Sequence, residues 1–160
     1  MTLTVTRADL AAPEVLTLLA AHAAHCSSLS PPESCHFLTA DGLDVPEVTV
    51  WAAWDGTELA GVGALKALPD EAGEIKSMHT AAAQRGKGVG KVILETILAE
   101  AERRGYHSLW LETGTIEAFG AARRLYERYG FAVCEPFGDY RLDPHSIFYT
   151  KTLETPEAVR

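Results

Sequence analysis

The stretch Gln84-Arg85-Gly86-Lys87-Gly88-Val89-Gly90-Lys91 decides how the rest of this 160-residue sequence is interpreted. Three alternate glycines remove Cβ atoms from a tight turn, so that successive backbone N–H groups can approach one anion closely. The residues that follow have a helical period, and a helix directs its unpaired N-terminal N–H groups towards the same point. Arg85, Lys87 and Lys91 add positive side chains. The stretch therefore predicts a strand-to-helix loop that binds a diphosphate.

Two common phosphate-binding loops do not fit this stretch. A P-loop requires G-x-x-x-x-G-K-[ST], but Arg85 lies five residues before Gly90 and Val92 follows Lys91. A dinucleotide fingerprint requires G-x-G-x-x-G, and Lys91 occupies the position of its third glycine. A glycine-rich turn with solvated charges remains an alternative for the loop alone, so the interpretation needs a second motif.

Outward from this loop, the sequence predicts alternating strands and helices. The predicted strands are Thr2–Thr6, Val48–Trp54, Glu58–Leu68, Glu74–Thr80, His107–Thr113, Phe131–Cys134 and Ile147–Leu153. The predicted helices begin at Pro13 and at Pro31–Pro32 and span Gly88–Arg104 and Glu117–Tyr129. Asp55-Gly56 predicts a hairpin between the second and third strands. This order predicts a mixed α/β (α+β) sheet with helices on its faces, in one domain of residues 1–160 with a frayed tail at Glu154–Arg160.

Composition and the absence of certain sequence patterns argue against several classes of function. A net charge of −8 argues against sequence-independent nucleic-acid binding, which requires a cationic surface. The N-terminus lacks the layout of a signal peptide and no apolar run approaches membrane-spanning length, so a cytoplasmic protein without a membrane partner is expected. The three cysteines lack a CxxC spacing, and His22 and His25 lie in no HExxH motif. We therefore expect neither a structural disulfide nor a metal site.

The second motif is Ala122-Arg123-Arg124-Leu125-Tyr126-Glu127-Arg128-Tyr129-Gly130-Phe131, a predicted helix that ends in Gly-Phe and leads into a strand. Together with the glycine loop it resembles the GNAT superfamily of N-acetyltransferases, which pairs an (Arg/Gln)-x-x-Gly-x-(Gly/Ala) loop with an Ala-x-x-Leu-Tyr-x-x-x-Gly-Phe helix. Gly73–Met78 and Leu111–Gly114 make the chain most similar to the bacterial YsnE-like subgroup. The resemblance implies a GNAT-like, mostly antiparallel sheet of six to seven strands with about four helices.

The resemblance also implies an enzyme that uses acetyl-CoA. The cofactor-binding residues that it implies are Met78, His79, Thr80, Gln84, Arg85, Gly86, Lys87, Gly88, Val89, Gly90, Lys91, Phe119, Ala122 and Tyr126. Backbone groups of Met78 and Thr80 are expected to pair with the pantetheine arm. Many members of the family have an asparagine where this chain has Phe119, so any hydrogen bond made by that asparagine must be supplied by another group.

Three residues are candidates for catalysis by direct attack of an amine on the thioester. Glu74 is the first candidate for the general base, because several family members place a glutamate on this strand, and Glu112 on the next strand is its competitor. Either carboxylate could instead be only solvated or salt-bridged at a sheet edge. Tyr126 is the candidate general acid near the CoA sulfur. Strand alternation predicts that Glu74 shares a face with Met78 and Thr80, whereas His79, which could relay a proton, faces away.

The acceptor is expected to be the primary amine of a small molecule such as an amino acid. Ser30, Glu33 and His36 lie in the segment that varies most in the family, and with Tyr140 they are the candidate substrate-binding residues. A protein or peptide amine is an alternative acceptor. A non-catalytic acyl-CoA sensor is the alternative from another class, and a CoA-independent phosphate-binding domain is a third. A homodimer is compatible with the resemblance, because dimers are common in the family.

Overall fold

A seven-stranded mixed sheet forms the centre of the protein in the computed structural model, which describes residues 3–29, 40–115, 119–138 and 140–153. The strands are β1 (Leu3–Arg7), β2 (Val48–Asp55), β3 (Glu58–Leu68), β4 (Ala72–Thr80), β5 (Ser108–Gly114), β6 (Ala132–Cys134) and β7 (Ser146–Thr152). The α-helices are α1 (Pro13–Leu29), α2 (Ala40–Leu43), α3 (Val89–Arg103) and α4 (Gly120–Arg128), and a 3-10 turn covers Ala82–Gln84.

The strand order across the sheet is β1-β2-β3-β4-β5-β7-β6. Every neighbouring pair is antiparallel except β4 and β5, which are parallel and are connected through α3. The predicted fold class is therefore confirmed. The prediction of one domain over residues 1–160 stays a prediction, because the frayed tail at Glu154–Arg160 and the helix start at Pro31–Pro32 lie outside the described residues.

The sheet carries an apolar core on each face. One face packs against α3 and α4, and the buried side chains of this core include Ile75, Val89, Ile93, Ile97, Leu111, Tyr126, Phe131 and Tyr149. The other face packs against α1 and α2, through Val15, Leu18, Leu19, Leu43, Val50, Val62 and Ala64. Because each strand alternates its side chains between these two layers, a residue's register determines which layer it joins.

Helix α3 lies against glycines of β3. A Cβ atom at Gly63 would lie 2.5 Å from Cγ2 of Ile93 and 2.6 Å from Sδ of Met78, so a side chain there would force Ile93 and Met78 to shift. The contact fixes the first turns of α3 over the centre of the sheet. The residues that precede the helix are thereby held at the end of β4.

A β-bulge at Ser77 reverses the alternation of β4. Ser77 has a φ of 57°, in the left-handed region, and the register between β3 and β4 shifts where Val62 pairs with His79 and Ala64 pairs with Lys76. Paired residues of antiparallel strands share a face, and Val62 and Ala64 belong to the α1 core. Lys76 and His79 therefore both face α1.

The predicted alternation is wrong beyond the bulge. Met78 contacts the α3 core, and its neighbour Thr80 pairs with Gly61, whose Cβ would point at Val89 of α3. Glu74 lies before the bulge, on the face of Lys76. Glu74 and His79 thus share the α1 face, whereas Met78 and Thr80 lie on the opposite one.

The parallel pairing of β4 with β5 is short. It runs from Ala72 opposite Ser108 to Ile75 opposite Leu111, although β4 continues to Thr80. Beyond Ile75 the two strands separate, and the sheet opens beside the second half of β4.

The left-handed conformation at Ser77 predicts a graded response to substitution. Ser77→Val should lower the free energy of unfolding by about 1–3 kcal/mol, because β-branched residues tolerate a positive φ worst. Ser77→Gly should remain within about 1 kcal/mol of the wild type, since relief of strain offsets the greater backbone entropy of glycine. Urea denaturation of both variants measures the difference, and equal losses would contradict the strained bulge.

Candidate functional site

A cavity of about 580 Å³ lies where β4 and β5 separate. Its walls come from the second half of β4, one residue of β3, the glycine loop, the start of α3, the length of α4 and one side of α1. The residues that line the cavity include His22, His25, Met78, His79, Arg85, Gly86, Gly88, Lys91, Phe119, Tyr126 and Arg128. Residues from both faces of the sheet line this one space, so the cavity passes through the opening in the sheet.

The glycine loop forms an open anion cradle at one end of the cavity. Gly86 and Gly88 have φ values of 79° and 81°, a conformation that only glycine adopts without strain. A Cβ built at either position meets no atom within 4 Å, so open space lies above both. Gly88 is the N-cap of the 15-residue helix α3, whose first N–H groups point into the same space. With Arg85, Lys91 and Arg128 in the wall, this cradle fits a diphosphate.

Two predicted cofactor residues of the loop have other partners. Gln84 is only 4% exposed, and its Nε2 donates to Oε2 of Glu58 at 3.1 Å. Lys87 Nζ lies 3.7 Å from Oδ2 of Asp55. Neither side chain lines the cavity, whereas every other predicted cofactor-binding residue does. Gln84 and Lys87 therefore tie the loop to the β2–β3 hairpin.

Tyr126 lies on α4 with its ring in the core and one side on the cavity. The ring packs edge-on against Phe131, with centroids 5.7 Å apart, and burial raises the pKa of its hydroxyl. The hydroxyl is therefore protonated at any physiological pH and acts as a hydrogen-bond donor. Phe119, at the start of α4, packs against Gly114, where a Cβ would lie 2.2 Å from its ring.

Glu74 lies in a polar cluster on the α1 face. Lys76 Nζ donates to Glu74 Oε2 at 3.0 Å and to the Tyr140 hydroxyl at 2.9 Å, and that hydroxyl donates to Glu74 Oε2 at 2.5 Å. Burial and then the charge of Glu74 raise the pKa of Tyr140. The structure thus brings Glu74 together with Tyr140, a predicted substrate residue. It does not bring Glu74 to Tyr126, which lies on the other face of the sheet.

Glu112 approaches the same cluster from β5. It pairs with Phe148 and shares a face with Trp110, which lies opposite Glu74 in the parallel register. The charge of Glu112 contributes to the raised pKa of Tyr140. Both candidate carboxylates therefore lie near the Tyr140 hydroxyl. The remaining predicted substrate residues, Ser30, Glu33 and His36, lie outside the described residues.

Sequence reasoning missed a cluster of imidazoles at the inner wall of the cavity. The Nδ1 atoms of His22 and His79 lie 3.2 Å apart, and the rings of His25 and His79 have centroids 5.7 Å apart. The i,i+3 spacing of His22 and His25 on α1 was visible, but their contact with His79 depends on the bulge at Ser77. Within residues 3–29, 40–115, 119–138 and 140–153, no group of three or more His, Cys, Asp or Glu side chains is arranged to hold a metal ion.

Burial dominates the titration of this cluster. It lowers the pKa of His22 to about 4, with the charges of His79, His25 and Lys76 acting in the same direction. Burial likewise lowers the pKa of His79 to about 4, aided by His25 and Arg85. Both rings are therefore neutral at pH 7.

Comparison with known proteins identifies related chains. The model of the acetyltransferase (GNAT) family matches residues 17–131. The uncharacterized N-acetyltransferase YsnE of Bacillus subtilis is 52% identical over 91% of this chain and 96% of its own, and YedL of Escherichia coli is 51% identical over 91% of each. A Klebsiella pneumoniae crystal structure assigned to the acyl-CoA N-acyltransferases superposes with a TM-score of 0.79 at 29% identity, covering 96% of this chain and 99% of that one. In the described part of the chain, no helix is long and apolar enough to cross a membrane.

The lowered pKa values predict a loss of stability in mild acid. The unfolded chain takes up these two protons near pH 6.5, whereas the folded rings resist protonation until about pH 4. The contribution of the two neutral rings to the free energy of unfolding is therefore fully present above pH 6.5. It is lost as the pH falls from there towards 4. The urea midpoint should fall over this range, and less steeply in a His22→Gln/His79→Gln double variant. Parallel curves for the two proteins would contradict the shifts.

Proposed function

This chain belongs to the acetyltransferase (GNAT) family, within the YsnE-like subgroup, and we propose that it transfers the acetyl group of acetyl-CoA to the primary amine of a small molecule. One observation carries the proposal. The anion cradle, three cationic side chains and Tyr126 line one cavity that passes through the sheet. This arrangement suits a long anionic thioester that enters from one face and an amine that enters from the other.

Successive parts of the cavity would bind successive parts of acetyl-CoA. Main-chain N–H groups between Gly86 and Gly90 would bind the pyrophosphate, supported by Arg85 and Lys91. The second half of β4, which has left β5, offers strand-like pairing to the pantetheine arm through Met78 and Thr80. When bound, acetyl-CoA supplies an activated acetyl carbonyl and a thiol leaving group. Tyr126 lies along the same cavity, where its hydroxyl can donate to the departing sulfur.

The acceptor would approach from the α1 face. An ammonium has a pKa near 10, so a base must take up a proton for the nitrogen to attack. Glu74 and Glu112 are the carboxylates of this face and remain the candidate bases among acidic residues. Glu74 already accepts hydrogen bonds from Lys76 and Tyr140, which hold its carboxylate in a fixed orientation. A net charge of −8 favours a cationic acceptor, and Ser30, Glu33, His36 and Tyr140 would form its wall.

A pair of glycine variants tests the anion cradle. Gly88 and Gly105 both have a left-handed φ, 81° and 75°, and open space at the Cβ position, but they lie at opposite ends of α3. Ala at either position should cost similar stability, about 1–2 kcal/mol. Only Gly88→Ala places a methyl group in the cradle. Isothermal titration should show CoA binding about 10- to 100-fold weaker for Gly88→Ala, the equivalent of one charge-assisted hydrogen bond. Equal affinities in the two variants would remove the loop from the binding site.

A thiol-release assay over a panel of small amines tests the chemistry. Tyr126→Phe keeps the ring and removes only the hydroxyl, so kcat should fall about 100-fold while CoA affinity stays within about twofold. Glu74→Gln preserves the shape of the side chain and removes its charge, and it should lower kcat on the best acceptor. Binding of acetyl-CoA without turnover of any amine or peptide would favour a sensor, and unchanged rates in both variants would remove their assigned roles.

A further inference from the structure

Three side chains from two elements form a hydrogen-bonded chain beside the cavity. Cys26 Sγ lies 3.8 Å from Nε2 of His22, and Nδ1 of His22 lies 3.2 Å from Nδ1 of His79. Cys26 and His22 are one turn apart on α1, whereas His79 comes from β4. Both imidazoles line the cavity, whereas Cys26 is not one of its lining residues. This cluster adjoins the Glu74, Lys76 and Tyr140 cluster through the charge of Lys76, which acts on His22.

The short distance between the two Nδ1 atoms constrains their protons. One ring must donate through Nδ1 and the other must accept there, so the neutral pair has one Nδ1–H and one Nε2–H. If His22 carries its proton on Nε2, directed at Cys26 Sγ, then its Nδ1 accepts from His79. His79 in that state has a lone pair on Nε2. A proton arriving at His79 Nε2 can therefore be matched by transfer of the Nδ1 proton to His22.

His79 is placed where it could accept a proton from a molecule bound in the cavity. His79 lies after the bulge, in the part of β4 that has separated from β5, and it lines the same cavity as Tyr126. The cavity-lining residues do not include Glu74 or Glu112. Among the titratable side chains that line it, the His22 and His79 rings have pKa values that burial lowers to about 4, so both are neutral and able to accept a proton at pH 7.

We propose that His79 Nε2 accepts a proton of the attacking amine and passes the positive charge to His22. This inference rests on the acetyl transfer proposed above. The acceptor's ammonium first loses one proton to a carboxylate of the α1 face, the role proposed above for Glu74 or Glu112. As the neutral nitrogen then bonds to the acetyl carbon, its second proton moves to Nε2 of His79, and the Nδ1 proton of His79 moves to Nδ1 of His22. The C–S bond breaks with its electron pair remaining on sulfur, where Tyr126 donates a hydrogen bond. The pair ends with one extra proton, on His22, one ring farther from the new amide. His22 acts through His79 by taking its Nδ1 proton, and Cys26 positions the His22 ring.

The surroundings of the pair explain why it would release this proton readily. His79 faces His25 and Arg85, and His22 faces His79, His25 and Lys76. These neighbours, after burial, lower the pKa of both rings, so a proton accepted during turnover is not retained. Removal of the His25 ring should raise the pKa of His79 towards the ordinary histidine value of about 6.5.

The first test separates the relay from simple packing. His79→Asn should lower kcat about 100-fold while the Kd for acetyl-CoA, measured by titration, stays within about threefold. His22→Asn places an amide oxygen where Nδ1 stood, so it can still hold His79 but cannot take its proton. It should lower kcat about tenfold without changing the KM for acetyl-CoA. His107→Gln, an exposed histidine that pairs with Glu71, is the matched control and should retain full activity.

The second test is a pH profile. In His25→Gln the acidic limb of kcat/KM should move to higher pH than in the wild type, which a purely structural role of the cluster would not produce. Retention of more than half of the wild-type kcat by His79→Asn, or an unmoved acidic limb in His25→Gln, would overturn the relay. Failure of the wild type to release thiol with any amine would instead overturn the proposed function, so the two failures are distinguishable.

Discussion

One left-handed residue in the middle of a β-strand organises this protein. The bulge at Ser77 turns Met78 onto the α3 core and His79 towards α1, and it lies just beyond Ile75, where the pairing between β4 and β5 stops. A regular strand would keep both faces of the sheet closed. The opening instead gives one cavity access to both layers, and it leaves the backbone of β4 beside the glycine loop. The strain of a non-glycine residue at positive φ is borne by the pairing with β3 on one side and the packing under α3 on the other.

The charge at the anion cradle is opposite to the charge of the protein as a whole. The protein as a whole is acidic, yet the cavity mouth gathers Arg85, Lys91 and Arg128 around two open glycines. The loop that carries these groups is held in place from behind, by Gln84 on Glu58 and Lys87 on Asp55. Because these side chains fix the loop, its amides are already oriented before an anion arrives, and little conformational entropy remains to be lost on binding.

Much of this could be predicted from the sequence, and the exceptions have a common cause. Long periodic segments such as α3 and β3 were placed within a few residues, and the glycine loop and the Leu125-Tyr126 helix identified the family. The face assignment of Met78, Thr80 and His79 was wrong because alternation assumes an unbroken strand, and a serine carries no signal of a bulge. The role of Gln84 and the contact of His22 with His79 depend on partners remote in sequence. Local patterns cannot report such contacts.

The sheet places the two halves of the site on opposite faces, and the cavity joins them. The glycine loop, α3 and α4 lie on one side, whereas α1 and the cluster of Glu74, Lys76 and Tyr140 lie on the other. Substitutions on the α1 side leave the packing under α3 untouched, so that side can drift in sequence without loosening the anion cradle. Under the proposed function, such a layout would let substitutions alter the choice of acceptor while the donor half keeps its packing.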